Sequence, residues 1–154
     1  MNEILKEAKG VKELRGFRNL TKLSLSGTKL TNTGMKELRH HDNLTWLYLG
    51  GTQITDIGIQ ELRGLSKLKV LDLSKTELTD AGLKDLCELE NLSTLDVGST
   101  KITNAALKHF RGLTNLAYLD LSTTEITDVG LKDLREVGSL SSLILRNTKV
   151  SNEG

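Results

Sequence analysis

Three aspartates recur at steps of 24 residues along the chain, at Asp72, Asp96 and Asp120. Each lies where leucines alternate with polar residues, which is typical of a strand with one buried face. Because neighbouring strands lie about 4.8 Å apart, we expect the three carboxylates to form one column of like charges. Two carboxylates at about 5 Å also resemble the catalytic pair of a retaining glycosidase. Nothing in the sequence builds a water-excluding pocket around them, so we expect no enzyme activity and no cofactor.

Aromatic residues flank the three aspartates. The only tryptophan, Trp46, and both tyrosines, Tyr48 and Tyr118, fall on the same strand face, whereas Phe17 and Phe110 fall at inward positions on the helix side. Tryptophan and tyrosine dominate binding hot spots, and a basic partner would relieve repulsion between the carboxylates. The pattern favours a partner-binding surface made of Trp46, Tyr48, Asp72, Asp96, Tyr118 and Asp120. The alternatives are that exposed aromatics merely suit strands, and that water and salt screen the carboxylates.

These residues belong to a repeat whose clearest copy is 68–91, LKVLDLSKTELTDAGLKDLCELEN. Its leading leucine recurs every 24 residues, at Leu20, Leu44, Leu68, Leu92, Leu116 and Leu140. A fixed short period predicts a solenoid, because no single unit can bury its leucines alone. We expect one domain over 1–154, with a helix and half unit at 1–19, five full units at 20–139 and a truncated sixth at 140–154.

Each unit is predicted to run strand, turn, helix, turn. Leu71 and Leu73 alternate with polar neighbours as in a strand, and the leucines from Leu83 to Leu89 step by three as on a short helix. Asp80 precedes that helix and predicts an N-cap. The same position holds Asn32, Asp56, Asn104, Asp128 and Asn152 in the other units. Since helices need about 10 Å and strands only about 4.8 Å, the stack must curve with the sheet inside.

The pattern LxxLxLxxTx(I/L)TDxGLxxLxxLxN resembles the leucine-rich repeat family over roughly residues 10–154. Its phasing and the Gly-Leu near the helix resemble most the bacterial, GALA-type 24-residue subclass, which is similar to ribonuclease-inhibitor-like repeats. The resemblance implies a right-handed α/β horseshoe, with a parallel sheet on the concave face and short helices on the convex face. It also implies a non-enzymatic module that binds a protein on its concave face.

One position departs from the family pattern, in which an asparagine or cysteine bonds neighbouring turns. This chain has threonine there, at Thr28, Thr52, Thr76, Thr100, Thr124 and Thr148. A threonine hydroxyl can both donate and accept a hydrogen bond. We therefore expect a ladder of threonines to replace the asparagines between units.

Two other functions stay open. The sequence starts and ends within a unit, so Leu143, Leu145 and Val150 are expected near an open end, as in a segment of a longer array or in end-to-end self-association. The GALA-type resemblance also implies the substrate-receptor arm of an effector that recruits a ubiquitin ligase. The chain has no room for an F-box segment ahead of its repeats, so that role would require further sequence.

Composition narrows the partners and the compartment. The net charge is +1 and no long basic run occurs, so we expect no nucleic acid partner. No apolar run approaches the ~20 residues of a membrane helix, and the N-terminus lacks an apolar signal-peptide core. Cys87 is the only cysteine, which fits a reducing compartment. We expect a cytoplasmic location, or the host cytoplasm if the chain is an effector.

Two irregular positions interrupt the repeat. His40, His41 and Asp42 lie between a helix and a strand, with too few ligands in sequence for a metal site. His41 stands where other units have leucine or valine, so we expect a frayed or locally open turn there. Cys87 breaks a row of arginines on the helix side and is expected to have no partner.

Overall fold

The computed structural model describes residues 8–152, so most of the predicted N-terminal helix around Ile4 lies outside the described residues. Six parallel strands form one sheet in chain order. They are β1 Lys22–Ser24, β2 Trp46–Tyr48, β3 Val70–Asp72, β4 Thr94–Asp96, β5 Tyr118–Asp120 and β6 Ser142–Ile144. Equivalent residues of successive units pair, because the register follows the 24-residue step. The predicted α/β solenoid with a parallel sheet and short helices is confirmed, while the division of the chain at 19 and 139 stays a prediction.

The helices are short and lie on the other side of the core. A 3₁₀ helix, Ala8–Gly16, precedes β1, and five α-helices follow the strands. They are α1 Asn32–Leu38, α2 Asp56–Ile59, α3 Asp80–Leu83, α4 Asn104–Leu107 and α5 Asp128–Leu134. The helices α2, α3 and α4 continue as 3₁₀ turns, Gln60–Leu62, Lys84–Glu88 and Lys108–Gly112. A leucine step of three suits a 3₁₀ helix, which has three residues per turn.

The core lies between the sheet and the helices. The inward leucines of the strands and the helical leucines, such as Leu71 and Leu83, are buried in one continuous cluster. Phe110 is fully buried as predicted, but the inward prediction for Phe17 is wrong, since it is 47% exposed.

The predicted N-caps are wrong by one residue. The caps are the preceding threonines, in extended conformation, and the hydroxyls of Thr55, Thr79 and Thr103 accept the N–H two residues on. The Asp or Asn that follows each cap is the first helical residue, and its side chain reaches the next unit instead. Asp80 accepts hydrogen bonds from the N–H and the hydroxyl of Thr103, at 2.7 and 2.6 Å. We call Asn32, Asp56, Asp80, Asn104 and Asp128 the helix-start ladder.

The predicted threonine ladder between units is also wrong. The hydroxyl of Thr28 donates to the carbonyl of Leu25 in its own unit, at 2.7 Å, and the other five threonines repeat this bond. Neighbouring turns are joined by backbone bonds, as from the N–H of Gly27 to the carbonyl of Gly50. A threonine side chain is short, and its hydroxyl reaches the carbonyl three residues back in its own unit. The hydroxyl therefore needs no partner in the next unit.

The two ends of the described stack differ. The N-terminal 3₁₀ helix buries Val11 and Leu14 against the core. At the other end Leu143, Leu145 and Val150 are only partly buried. An apolar depression there is lined by residues of the last two units, Leu131, Leu134, Arg135, Val137, Gly138, Leu140, Leu143 and Leu145.

Candidate functional site

The exposed face of the sheet presents its residues in columns. In β1 to β5 the middle residue of the strand is buried, in β6 it is half-buried, and the residues on either side face outward. Because the register is constant, outward residues of successive strands stand side by side. One column is Lys22, Trp46, Val70, Thr94, Tyr118 and Ser142, and the next is Ser24, Tyr48, Asp72, Asp96, Asp120 and Ile144.

The aromatic side chains form two groups on this face. Trp46 is 42% exposed and shares β2 with the half-buried Tyr48. Tyr118, 36% exposed, lies three strands away, or about 14 Å at the usual strand spacing. The carboxylates of β3 and β4 lie between the two groups. The structure thus brings the six predicted binding residues onto one surface, although their role in binding stays a prediction.

Lys22 covers the aromatic pair, which the sequence analysis missed. Its ammonium lies 4.4 Å from the ring centroid of Trp46 and 5.4 Å from that of Tyr48. Both distances suit a cation–π interaction. The signal was present in the sequence, because Lys22 precedes Trp46 by one repeat and must stand beside it in a parallel sheet. The aromatic pair therefore already contacts a cation of its own chain.

The aspartates Asp72, Asp96 and Asp120, the sheet-face column, pair in register as predicted. One oxygen of each carboxylate accepts the backbone N–H two residues on, at 2.8 or 2.9 Å. Asp72 also accepts the hydroxyl of Ser74 at 2.7 Å. Within residues 8–152 the second oxygen of each carboxylate accepts no hydrogen bond. The column therefore orders the turn after each strand and leaves one oxygen of each carboxylate without a hydrogen bond within residues 8–152.

The surroundings of the middle carboxylate, Asp96, disfavour its ionised form. Partial burial raises the pKa of Asp96, and the negative charges of Asp72 and Asp120 add to that rise. The N–H of Gly98 and the ammonium of Lys75 oppose it. A cation placed over this position would favour the ionised form and lower the pKa again.

Glycine makes room for the column. A Cβ added at Gly50 would lie 2.7 Å from one carboxylate oxygen of Asp72 and 2.9 Å from the hydroxyl of Ser74. At Gly98 the added atom would lie 3.2 Å from Asp96. Small residues beside the carboxylates are thus required by close approach, and they leave a shallow polar surface.

The convex side is a ladder of ion pairs. Arg15, Arg63 and Arg111 each bond the acidic residue one unit on. Cys87 takes one arginine position, and its predicted isolation is wrong, because its Sγ lies 2.9 Å from the carbonyl oxygen of His109. Burial raises the pKa of the Cys87 thiol, and nearby carboxylates add to the rise. A thiol held protonated in this way is a poor nucleophile.

Two classes of site find no support within residues 8–152. No group of three or more His, Cys, Asp and Glu side chains there could hold a metal ion. No helix in that range is long and apolar enough to cross a membrane. What the described chain offers is an open surface with aromatic groups and an acidic centre.

Comparisons with known proteins agree with this architecture. The leucine rich repeat family profile matches residues 18–78, 42–102 and 90–150. No curated protein matches the sequence.

Three solved structures are similar. An internalin (inlF) of Listeria monocytogenes is 20% identical, with 92% of this chain and 46% of that chain covered and a TM-score of 0.74. Internalin C2 of the same organism is 27% identical, with 94% of this chain and 75% of that chain covered and a TM-score of 0.66. The APL1 leucine-rich repeat domain is 20% identical, with 99% of this chain and 39% of that chain covered and a TM-score of 0.78. This chain thus spans less than half the length of two of them. With six units in register and three overlapping matches, the chain belongs to the leucine-rich repeat family.

Proposed function

We propose that the exposed sheet face binds a protein partner that presents basic side chains beside an apolar contact. The observation that supports this most is the placement of Trp46 and Tyr118 in the column of outward residues next to the sheet-face column. Leucine-rich repeat domains generally mediate protein–protein interaction and are typically non-enzymatic. The acidic centre with three unbonded carboxylate oxygens is what selects a basic partner over a neutral one.

Binding would work by rigid presentation. The face is made of strands whose register is fixed by the sheet, so little loop entropy is lost on association. A standard interface takes about 800 Å² from each partner, and the exposed columns of this sheet suit that size. A lysine or arginine of the partner would compete with Lys22 for the aromatic pair or lie over Asp96.

The test replaces Trp46, Tyr48 and Tyr118 with alanine together. Affinity capture from an extract of the source organism, followed by quantitative mass spectrometry, compares this variant with the wild type. The matched control replaces Ile57 and Val129, which are each 67% exposed on the helix side, with alanine. Some proteins will be captured by both the wild type and the control. We expect the captured amount of these proteins to be at least tenfold lower with the triple variant, since hot-spot anchors dominate affinity.

Raising the salt concentration should weaken the same captures, because exposed charges are screened. Circular dichroism checks that the triple variant is folded. An unchanged set of captured proteins with a folded triple variant would refute the sheet face as the binding surface.

A second function, a segment for assembly, is favoured by the partly exposed leucines of the last two units. Leu143 and Leu145 would be covered if another repeat or a second copy stacked there. Light scattering at high concentration tests this, and a monomer at every concentration would count against self-association.

The finer assignments rest on sequence resemblance. They are the GALA-type subclass and the receptor arm of an effector that recruits a ubiquitin ligase. The cytoplasmic location also stays a prediction. None of them is needed for the sheet-face proposal or for its test.

A further inference from the structure

A pocket of about 510 Å³ lies where the N-terminal half unit meets the first full unit, away from the sheet-face residues. It is lined by Arg15, Arg18, His40, His41, Asp42 and Asn43. Arg15 belongs to the N-terminal 3₁₀ helix, and His40 and His41 follow α1. The site is therefore independent of the proposed protein-binding face.

His41 is the unusual residue of this pocket. The prediction of a frayed turn is wrong, because His41 is only 1% exposed. Other units fill its place with apolar residues, such as Leu65, Leu89 and Val137, which are also buried. Neither ring nitrogen of His41 makes a full hydrogen bond within residues 8–152, and the backbone of Phe17 lies beside the ring. A buried polar group without a partner is costly, so a histidine in a leucine position requires a ligand or water to satisfy it.

The lining around His41 contains an arginine without a side-chain partner among the described residues. Arg15 is bonded through two nitrogens to Glu37, which offsets its charge. Arg18 makes no side-chain hydrogen bond or ion pair within residues 8–152. The carboxylate of Asp42 is the one acidic group in the lining. The guanidinium of Arg18 therefore lines the pocket without a side-chain partner within residues 8–152, and His41 lines it with a buried imidazole.

We propose that this pocket binds a phosphate-class oxyanion, with the ring of His41 as hydrogen-bond donor and the guanidinium of Arg18 as the charged partner. Arginine suits the geometry of tetrahedral oxyanions, because its planar fork donates two parallel bonds. The anion is either free inorganic phosphate or the phosphoryl group of a small monoester, since both present the same oxygens. A tetrahedral anion fits easily in a space of this volume.

Protonation of His41 couples to binding. Burial lowers the pKa of His41, and the neighbouring His40 lowers it further. The backbone of Phe17 and the charge of Asp42 oppose this shift only in part. Lys12, Arg15 and Arg18 are the other positive groups nearby, and Glu37 is bonded to Arg15. A bound anion favours the charged imidazole, so binding takes up a proton and tightens as the pH falls.

The test titrates the full chain with sulfate and with phosphate by calorimetry, while NMR follows the imidazole resonances of His41. Sulfate keeps its charge between about pH 6 and 8, so the pH dependence of its affinity reports on the protein. We expect saturable binding that strengthens toward pH 6. The dissociation constant should rise at least tenfold in His41→Leu and in Arg18→Gln.

The control is Arg111→Gln, which removes the same charge from the helix side and should leave the affinity unchanged. His41→Leu restores the residue type of the other units, and Arg18 is exposed, so both variants are expected to fold. A comparison of inorganic phosphate with O-phosphoserine distinguishes the two sources. Tighter binding of O-phosphoserine assigns the site to a monoester, and equal affinity assigns it to the free anion.

Three results would overturn the proposal. They are no saturable binding of either anion, binding that survives His41→Leu, and tight binding of Zn²⁺ at His41 in place of an anion. None of these results bears on the sheet face, and loss of protein capture by the aromatic variant does not bear on this pocket.

Discussion

Aspartate has one structural role on the sheet side of the units and a different one on the helix side. Aspartates of the sheet-face column accept hydrogen bonds from their own unit, two residues on. Aspartates of the helix-start ladder accept from the threonine one unit on, as Asp56 does from Thr79 and Asp80 from Thr103. Both sets recur at steps of 24 residues, so spacing alone does not separate them.

The difference lies in where the second oxygen goes. In the aspartates of the helix-start ladder both oxygens are bonded, and the bonds join neighbouring units in addition to the backbone bonds of the sheet. In the sheet-face column one oxygen stays unbonded and like charges stand side by side, which costs stability. The helix-start ladder stabilises the stack, and the sheet-face column gives the exposed sheet a negative charge that attracts cations.

The largest effect is expected from Asp80→Ala in the helix-start ladder. It removes two bonds between the third and fourth full units and leaves the N–H of Thr103 without its partner. We expect the free energy of unfolding to fall by about 2 kcal/mol, because two hydrogen bonds to a charged acceptor are lost. Urea denaturation measures this change.

The chain supplies its own control for that variant. Asn104 accepts from the N–H of Thr127 and donates to its hydroxyl, so asparagine fits the same position with one bond reversed. Asp80→Asn should therefore cost less than half as much as Asp80→Ala. Equal losses for the two variants would show that charge, and not the pair of hydrogen bonds, holds the units together.

Much of the fold could be predicted from the sequence, because the leucine period fixes both the strands and their register. The column of Asp72, Asp96 and Asp120 followed from that register, as did the burial of Phe110. These features depend on position within the repeat alone. Whether the face binds a partner is decided by the chemistry of the partner, which no register encodes.

Apart from the exposure of Phe17, the errors concern where a polar side chain lies. Asp80 and Thr79 are adjacent, and either can cap a helix, so the sequence did not show that Thr79 is the cap and Asp80 the bridge. Thr76 bonds its own unit because a carbonyl lies in reach, which only coordinates reveal. His41 is buried at a position where other units have leucine or valine, although histidine is fully buried less often than these residues.

A smaller effect of opposite sign is expected from Asp96→Asn in the sheet-face column. The variant keeps an oxygen for the N–H of Gly98 and removes the repulsion from both neighbouring carboxylates. Stability at pH 7 should rise by some tenths of a kcal/mol. The pKa of Asp96 is raised in the folded protein, so its penalty is present above that pKa and fades as the pH falls through it.

The measurement for Asp96→Asn is the difference in Tm between variant and wild type from neutral pH to about pH 3, below the unfolded pKa of aspartate. The variant's advantage should disappear at the acid end. A loss of stability at pH 7 would mean that the column is not repulsive, and that its aspartates stabilise their turns more than they repel each other.

The smallest effect is expected from Asp128→Asn, and its pH dependence should mirror that of Asp96→Asn. The N–H and the hydroxyl of Ser151 donate to the two oxygens of Asp128, at 2.8 and 2.7 Å, and these bonds lower the pKa of Asp128. A lowered pKa gives stability that is present above the unfolded pKa and is lost as the pH falls through the folded one. The wild type should therefore have the slightly higher Tm at pH 7, and the two curves should meet in acid. A carboxylate that is stabilised by donors and one that is destabilised by neighbouring charges must respond to acid in opposite directions. If the Tm difference between variant and wild type changed with pH in the same direction for Asp96→Asn and Asp128→Asn, the distinction between the sheet-face column and the helix-start ladder would be wrong.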